Sequence, residues 1–470
     1  MSMRRYLQFL LSIMVGLSVA GCVAVPTNQS NNNLRPPASP VASVSPSPVN
    51  ERAANVEPLT LPVLDAFFAD EGFGALLKTR LHISDEQIAK LKELAHDETA
   101  KLNEANAGQG DGEGAAARTA AEEKIKAVIG NDKAAELATL VRERWNGETD
   151  DAGKQNNAED SARGRANGVP NDSRIVVNAP AYRMDVFDAG RLIKSYKIGI
   201  GYPQFPLPTG LRKARVIIFN PTWTPPDEPW VAKMKNVSAG EKVEAGSKLN
   251  PLGPIKIPIG GPSLIHGGKS PAKLGTFASH GCVGLTTPQV KDFAKVLARL
   301  GGASLTDEDL AKFGSDKTQT KQMKLAKEVP VELRYETIVV EDGELHIYRD
   351  VYDEGTNTEE NLRAALAANG VKLEDLTDDE RAKALDALTQ MSGRASVKTA
   401  AAEPTASPGS SNKNSNSTLD RKSSVTKKQT RVPNTQKEIV IEIAALKGKG
   451  YPPPADLDTG SGKTRVRVSK

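Results

Sequence analysis

Leu264-Ile265-His266-Gly267-Gly268-Lys269 and, a short interval later, Ser279-His280-Gly281-Cys282-Val283 are the stretch on which the reading of this chain turns. Only two cysteines occur in 470 residues, and one of them, Cys282, follows His266 by sixteen positions. A thiol nucleophile needs three things: a thiolate, a base to generate it, and donors for the oxyanion of a tetrahedral intermediate. Cys282, His266 and the backbone around Gly281 supply the set. A free cysteine titrates near about 8.5, and a neighbouring imidazole lowers that value. Glycine at 281 lets the backbone turn sharply, so that a carbonyl can approach the amides of Gly281, Cys282 and Val283 as oxyanion donors. Two blander readings compete. A lone cysteine is most often inert packing, and His266, His280 and Cys282 are candidate ligands of a metal, although without a nearby fourth they make a poor structural zinc site. No metal and no cofactor is expected.

The other cysteine explains itself differently. Arg4 and Arg5 precede an apolar stretch from Tyr6 to Ala20, and small residues lead into Val19-Ala20-Gly21-Cys22. This is the pattern of a secretory signal, too short and weakly apolar for a membrane span. Val19 to Cys22 resembles a bacterial lipobox, which implies cleavage before Cys22 and acylation of its sulfur and new amino terminus. Several acyl chains anchor stably, each buried methylene contributing roughly 0.8 kcal/mol. Val23, in place of an aspartate, favours the outer membrane if the source has one, so the expected location is the cell envelope, as a periplasmic lipoprotein. Acylation would leave Cys282 without a disulfide partner in a compartment that permits disulfides, and an idle thiol there is a liability. Charge is uninformative: 62 basic against 58 acidic residues give no field suited to nucleic acid.

Composition divides the rest. After the signal (1–21), residues 22–57 are rich in Asn, Ser, Pro and Ala and should form a disordered tether. Residues 58–146 read as a helical module: Ser84-Asp85-Glu86-Gln87 is a capping box, and a glycine-rich break at 108–114 precedes a second helix carrying Ile125, Val128, Ile129, Leu137, Leu140 and Val141. A structural hairpin and a binding or chaperone-like module both fit this pattern. A polar linker (147–171) leads into short strand-like runs at 174–177, 184–187, 192–200 and 216–219 with frequent Gly and Pro turns. Residues 172–336 therefore read as a mainly β domain, a sandwich or barrel-like arrangement with short helices. A C-terminal extension (337–392) should hold a hairpin around Asp342-Gly343 and two capped helices. Residues 393–437 read as disordered, and 438–470 as a tail with one possible short strand and no assigned role.

Residues 172 to about 335 are similar to the YkuD-type catalytic domain of L,D-transpeptidases. The resemblance is carried by His266-Gly267, by Ser279-His280-Gly281-Cys282-Val283, and by supporting phrases in order: Ile175-Val176-Val177-Asn178, Pro208-Thr209-Gly210, Asn220-Pro221-Thr222-Trp223, Asn250-Pro251-Leu252-Gly253 and Val329-Pro330-Val331. It covers about a third of the chain. It implies a YkuD-like β-sandwich, Cys282 as nucleophile, and His266 as base oriented by a backbone carbonyl near Gly267. Ser279 and His280 would shape the site, and Gly281, Val283 and Gly267 its loops. The implied substrates are peptidoglycan stem peptides and the implied inactivators are carbapenems. Many relatives carry Arg or Asn two residues after the cysteine. This chain has Gly284, so substrate positioning differs or another cation, with Lys269 the candidate, stands in. The same residues also suit an L,D-carboxypeptidase or an enzyme that attaches protein to the wall or releases it. A non-catalytic wall-binding lipoprotein is the rival of another class.

Overall fold

A nine-stranded sheet in the order β14-β3-β2-β1-β10-β5-β6-β7-β9 is the largest among the described residues. The computed structural model describes residues 59–102, 113–147, 167–226, 229–232, 234–392 and 436–460, so Cys22, the tether and most of the expected disordered segments lie outside the described residues. The strands are β1 (Arg174–Asn178), β2 (Arg183–Asp188), β3 (Arg191–Lys197), β5 (Gly210–Phe219), β6 (Ile255–Pro258), β7 (Leu264–Lys269), β9 (Val283–Thr286), β10 (Lys321–Arg334) and β14 (Leu457–Asp458). A separate parallel pair joins β4 (Ile200–Gly201) to β8 (Phe277–Ser279). Beside it, Gly199 and Gly284 exchange two backbone hydrogen bonds of 2.9 Å, so the free side of β9 is closed by the chain entering β4. The architecture is thus mainly β, a curled sheet around one helix.

That helix, Thr287–Leu300, starts where β9 ends. Thr286 caps it, with Gln289 reaching back to form a capping box and Pro288 in the first turn. Val290, Phe293, Ala294, Leu297 and Ala298 recur at helical spacing, and all are fully buried against Ile175, Val177, Ile217, Ile257, Ile265, Val283 and Leu285. This core sets the position of β7 and β9, and hence of the site.

The N-terminal helices depart from a simple hairpin. Among the described residues five are present: α1 (Leu61–Phe68), α2 (Glu71–Leu81), α3 (Asp85–Lys101), α4 (Glu113–Ile129) and α5 (Asn131–Trp145). The apolar residues expected on one long second helix belong to α4 and α5, because Gly130, at φ +82°, leaves the helical region and breaks it. The Ser84–Gln87 capping box forms as read. The five helices enclose their own core, from Phe73, Leu77, Leu91 and Ile125 to Leu137 and Trp145, and it takes in Phe205 from the β domain.

The C-terminal part is larger than 337–392. Strands β11 (Ile338–Glu341) and β12 (Glu344–Tyr348) form a hairpin through Asp342-Gly343, both at positive φ, and β13 (Glu438–Glu442) pairs beside β12 to complete a three-stranded sheet. Helices α6 (Glu359–Ala368) and α7 (Asp378–Met391) cover it. Residues 438–460, read as a tail with one possible short strand and no assigned role, therefore belong to two sheets, since β13 pairs with β12 and β14 pairs in parallel with β3. Gln436 and Lys437, read as disordered, already accept from Arg349 and donate to Gly275. The linker also ends early: Asn167 donates to Ile338 O and accepts from Val340 N at 3.0 and 2.8 Å.

Candidate active site

Strands β7 and β9 run parallel, with Ile265 opposite Val283 and His266 opposite Gly284. Ile265 and Val283 point into the main core, where both are fully buried. Successive strand residues alternate between faces, so His266 lies on the opposite face together with Gly284. Cys282 directly precedes β9, two residues before Gly284. The parallel pairing thus brings the segment that follows Cys282 alongside His266 despite sixteen residues of sequence separation.

His266 is buried, 4% exposed. Its Nδ1 lies 2.8 Å from the carbonyl oxygen of Gly267. A carbonyl can only accept, so Nδ1 carries the proton and Nε2 keeps its lone pair. Burial pushes the imidazole down to about 3, assisted by the nearby Lys269 charge and opposed by the Gly267 and Leu252 carbonyls. The ring is therefore neutral at neutral pH, in the form that can accept a proton.

The loop 279–282 is held from within. Ser279 Oγ donates to Cys282 O and accepts from Cys282 N, the latter at 3.1 Å. Of the three amides expected as oxyanion donors, that of Cys282 is thus engaged by Ser279. Val283 is already in the β7–β9 ladder, and Gly281 stands at φ +74°, which favours glycine. A Cβ at 281 would lie 3.0 Å from the Phe205 ring and 3.5 Å from Trp145. The Cys282 side chain is half-buried. His280 meets two rings edge-on, Tyr202 at 5.2 Å and Phe205 at 5.8 Å between centroids. Among the described residues no three His, Cys, Asp or Glu side chains converge as a metal-ligand group.

Residues 172–321 match the YkuD family model, the L,D-transpeptidase catalytic domain. Among solved structures, the catalytic domain of the E. faecium L,D-transpeptidase is 18% identical, with 36% of this chain and 100% of that one covered and a TM-score of 0.22. An L,D-transpeptidase from Mycobacterium smegmatis is 12% identical, covering 35% of this chain and 58% of that one, TM-score 0.20. One from Mycobacterium tuberculosis H37Rv is 13% identical, covering 34% and 57%, TM-score 0.20. The chain thus spans little more than half of these two mycobacterial proteins. No curated protein matches.

The YkuD match ends at the first residue of β10, yet β10 runs on to Arg334 and pairs with both β1 and β5. Structurally the domain closes there. The loop 279–282 is backed by parts of the chain far away in sequence. Tyr202 N donates to Ser279 O at 3.0 Å, and Gly201 sits so tightly that a Cβ would fall 2.3 Å from Phe205 O. The Tyr352 hydroxyl accepts from Leu207 N and donates to Gly201 O, both at 3.2 Å. Thr60 donates to Gln204 O at 2.6 Å, and Gln204 donates to Glu113 at 2.8 Å. Tyr202, Phe205, Trp145 and Tyr352 are not signalled by the sequence motif; nothing local in 145 or 352 marks residues that will meet Gly281 and Gly201 respectively.

Proposed function

We propose that this protein is a peptidoglycan L,D-transpeptidase that forms 3→3 cross-links through a Cys282 thioester. What supports the reading is the β7–β9 register, which sets His266 opposite Gly284, two residues after Cys282, together with a neutral His266 whose Nδ1 faces the Gly267 carbonyl. Nε2 of His266 takes the thiol proton as sulfur attacks the carbonyl carbon between the third residue, an L-centred diamino acid, and the terminal D-alanine of a donor tetrapeptide. A base held near 3 in isolation gains strength as the thiolate forms beside it, because an opposite charge offsets the burial penalty. The oxyanion falls to the Gly281 amide, since the Cys282 amide is committed to Ser279.

Collapse of the intermediate breaks the C–N bond, and the imidazolium returns its proton to the departing amine. D-Alanine leaves and a thioester remains. The side-chain amine of a second stem's third residue then attacks, C–N forms as C–S breaks, and the amine proton passes through His266 to the departing sulfur. Ping-pong order follows. Intact-mass measurement tests the first half: the protein incubated with a tetrapeptide donor should gain the peptide minus one D-alanine, and the Cys282→Ala variant should gain nothing. No adduct on a folded protein whose thiol still alkylates would overturn the reading. Cys22 acylation completes the proposal by tethering the enzyme to the envelope membrane; Cys22→Ser should move it from the membrane to the soluble fraction.

A further inference from the structure

Lys269 is three residues beyond His266, and in a regular strand the two would point to opposite faces. They do not, because β7 carries a bulge. Between the pairs His266↔Gly284 and Lys269↔Thr286, two residues of β7, Gly267 and Gly268, oppose the single Leu285 of β9. The extra residue restores Lys269 to the face of His266. Both bulge positions demand glycine. A Cβ on Gly267 would meet Val290 Cγ1 at 2.6 Å, and Gly268 lies at φ +82° with Pro251 O 2.9 Å from a Cβ.

On that face the half-buried Lys269 side chain lies across Gly284. A Cβ at 284 would stand 2.8 Å from Lys269 Cγ and 3.0 Å from its Cε, so the missing side chain is the groove that the lysine stem fills. The ammonium then donates to Ala278 O at 2.7 Å, the residue before Ser279-His280-Gly281-Cys282. We propose that Lys269 is a positioning residue of this site: its stem occupies the space opened by Gly284, and its ammonium fixes the start of the nucleophile loop while placing a positive charge beside the His266–Cys282 pair. This rests on Cys282 and His266 acting as nucleophile and base. Lys269 is the charged group whose field acts on His266, with the Gly267 and Leu252 carbonyls acting in the opposite sense. A cation there favours the neutral imidazole, the form able to accept the thiol proton, and the anionic sulfur that attacks.

The test reads the thiol directly. The full chain, purified in detergent and carrying Cys22→Ser in every variant so that Cys282 is its single thiol, is alkylated with iodoacetamide from pH 5 to 10. Lys269→Met, which keeps a stem of similar bulk, should raise the midpoint of the rate profile by about one pH unit, and Lys269→Arg should restore it. Gly284→Ala, which pushes the stem aside while keeping the charge in the chain, should shift the midpoint the same way by less. Unchanged midpoints in both Lys269→Met and Gly284→Ala would reduce Lys269 to packing and overturn the proposal. If Lys269→Met does not fold, Gly284→Ala decides alone. Because alkylation needs no peptide, a shifted midpoint in a protein that makes no cross-links would overturn the transpeptidase reading and leave the lysine's role standing.

Discussion

His266 carries a linkage that can be measured apart from any substrate. Unfolded, its imidazole protonates near 6.5; folded, it resists protonation down to about 3. Between those values the unfolded state binds more protons, so stability falls as the pH is lowered through that window. At pH 5 the loss from this group is about 2 kcal/mol. Thermal melts should therefore show the wild type losing more stability between pH 7 and pH 5 than His266→Asn, whatever the variant's starting value; equal slopes would mean that the ring is not buried in its neutral form. Ser279 acts on geometry instead, bonding both the amide and the carbonyl of Cys282. Ser279→Ala should slow acylation by a donor peptide about tenfold to a hundredfold through misplacement of the sulfur, while the thiol still alkylates. Rapid acylation in this variant would show that the loop holds its form without the hydroxyl.

At the level of elements, the loop 279–282 rests on parts of the chain distant in sequence. Trp145 ends α5 and stands 6.3 Å from Phe205, whose ring meets both Gly281 and His280. Trp145→Ala removes a fully buried ring and should cost about 3–5 kcal/mol, seen in chemical denaturation. Phe205→Leu, closer in volume, should keep the fold and lower the rate of acylation, which separates support of the loop from global stability. Elements with local signals were legible in the sequence: the Ser84 and Thr377 capping boxes, the Asp342-Gly343 hairpin, the strands from 174 to 219, and the motif from His266 to Cys282. The break at Gly130 was not, because the apolar face continues in phase on both sides of it. The β7 bulge was not either, since Gly267-Gly268 reads equally as a turn. The contacts of Trp145 and Tyr352 with the loop around Phe205 depend on packing between distant segments, which no local pattern encodes.

Over the whole molecule, the last described segment acts on two sheets at once. Ile441, Ile443, Leu446 and Tyr451 are buried, β13 covers the edge of β12, and β14 covers the edge of β3. Gln289, which caps the helix after β9, also donates to Asp458 O at 2.9 Å, so this segment reaches the frame of the site. Truncation before residue 436 should lower the melting temperature and expose two strand edges that promote self-association, seen as higher-mass species in size-exclusion chromatography; a monomer of unchanged melting temperature would show that the segment is dispensable.

The central claim is that Cys282 transfers a stem peptide to an amine. Its most direct test is incubation of the protein and of Cys282→Ala with a disaccharide tetrapeptide, with the products read by mass spectrometry. The account predicts a Cys282-dependent dimer lacking one D-alanine. A folded protein with a reactive thiol that leaves the tetrapeptide unchanged, or turns it over equally well without Cys282, would contradict it.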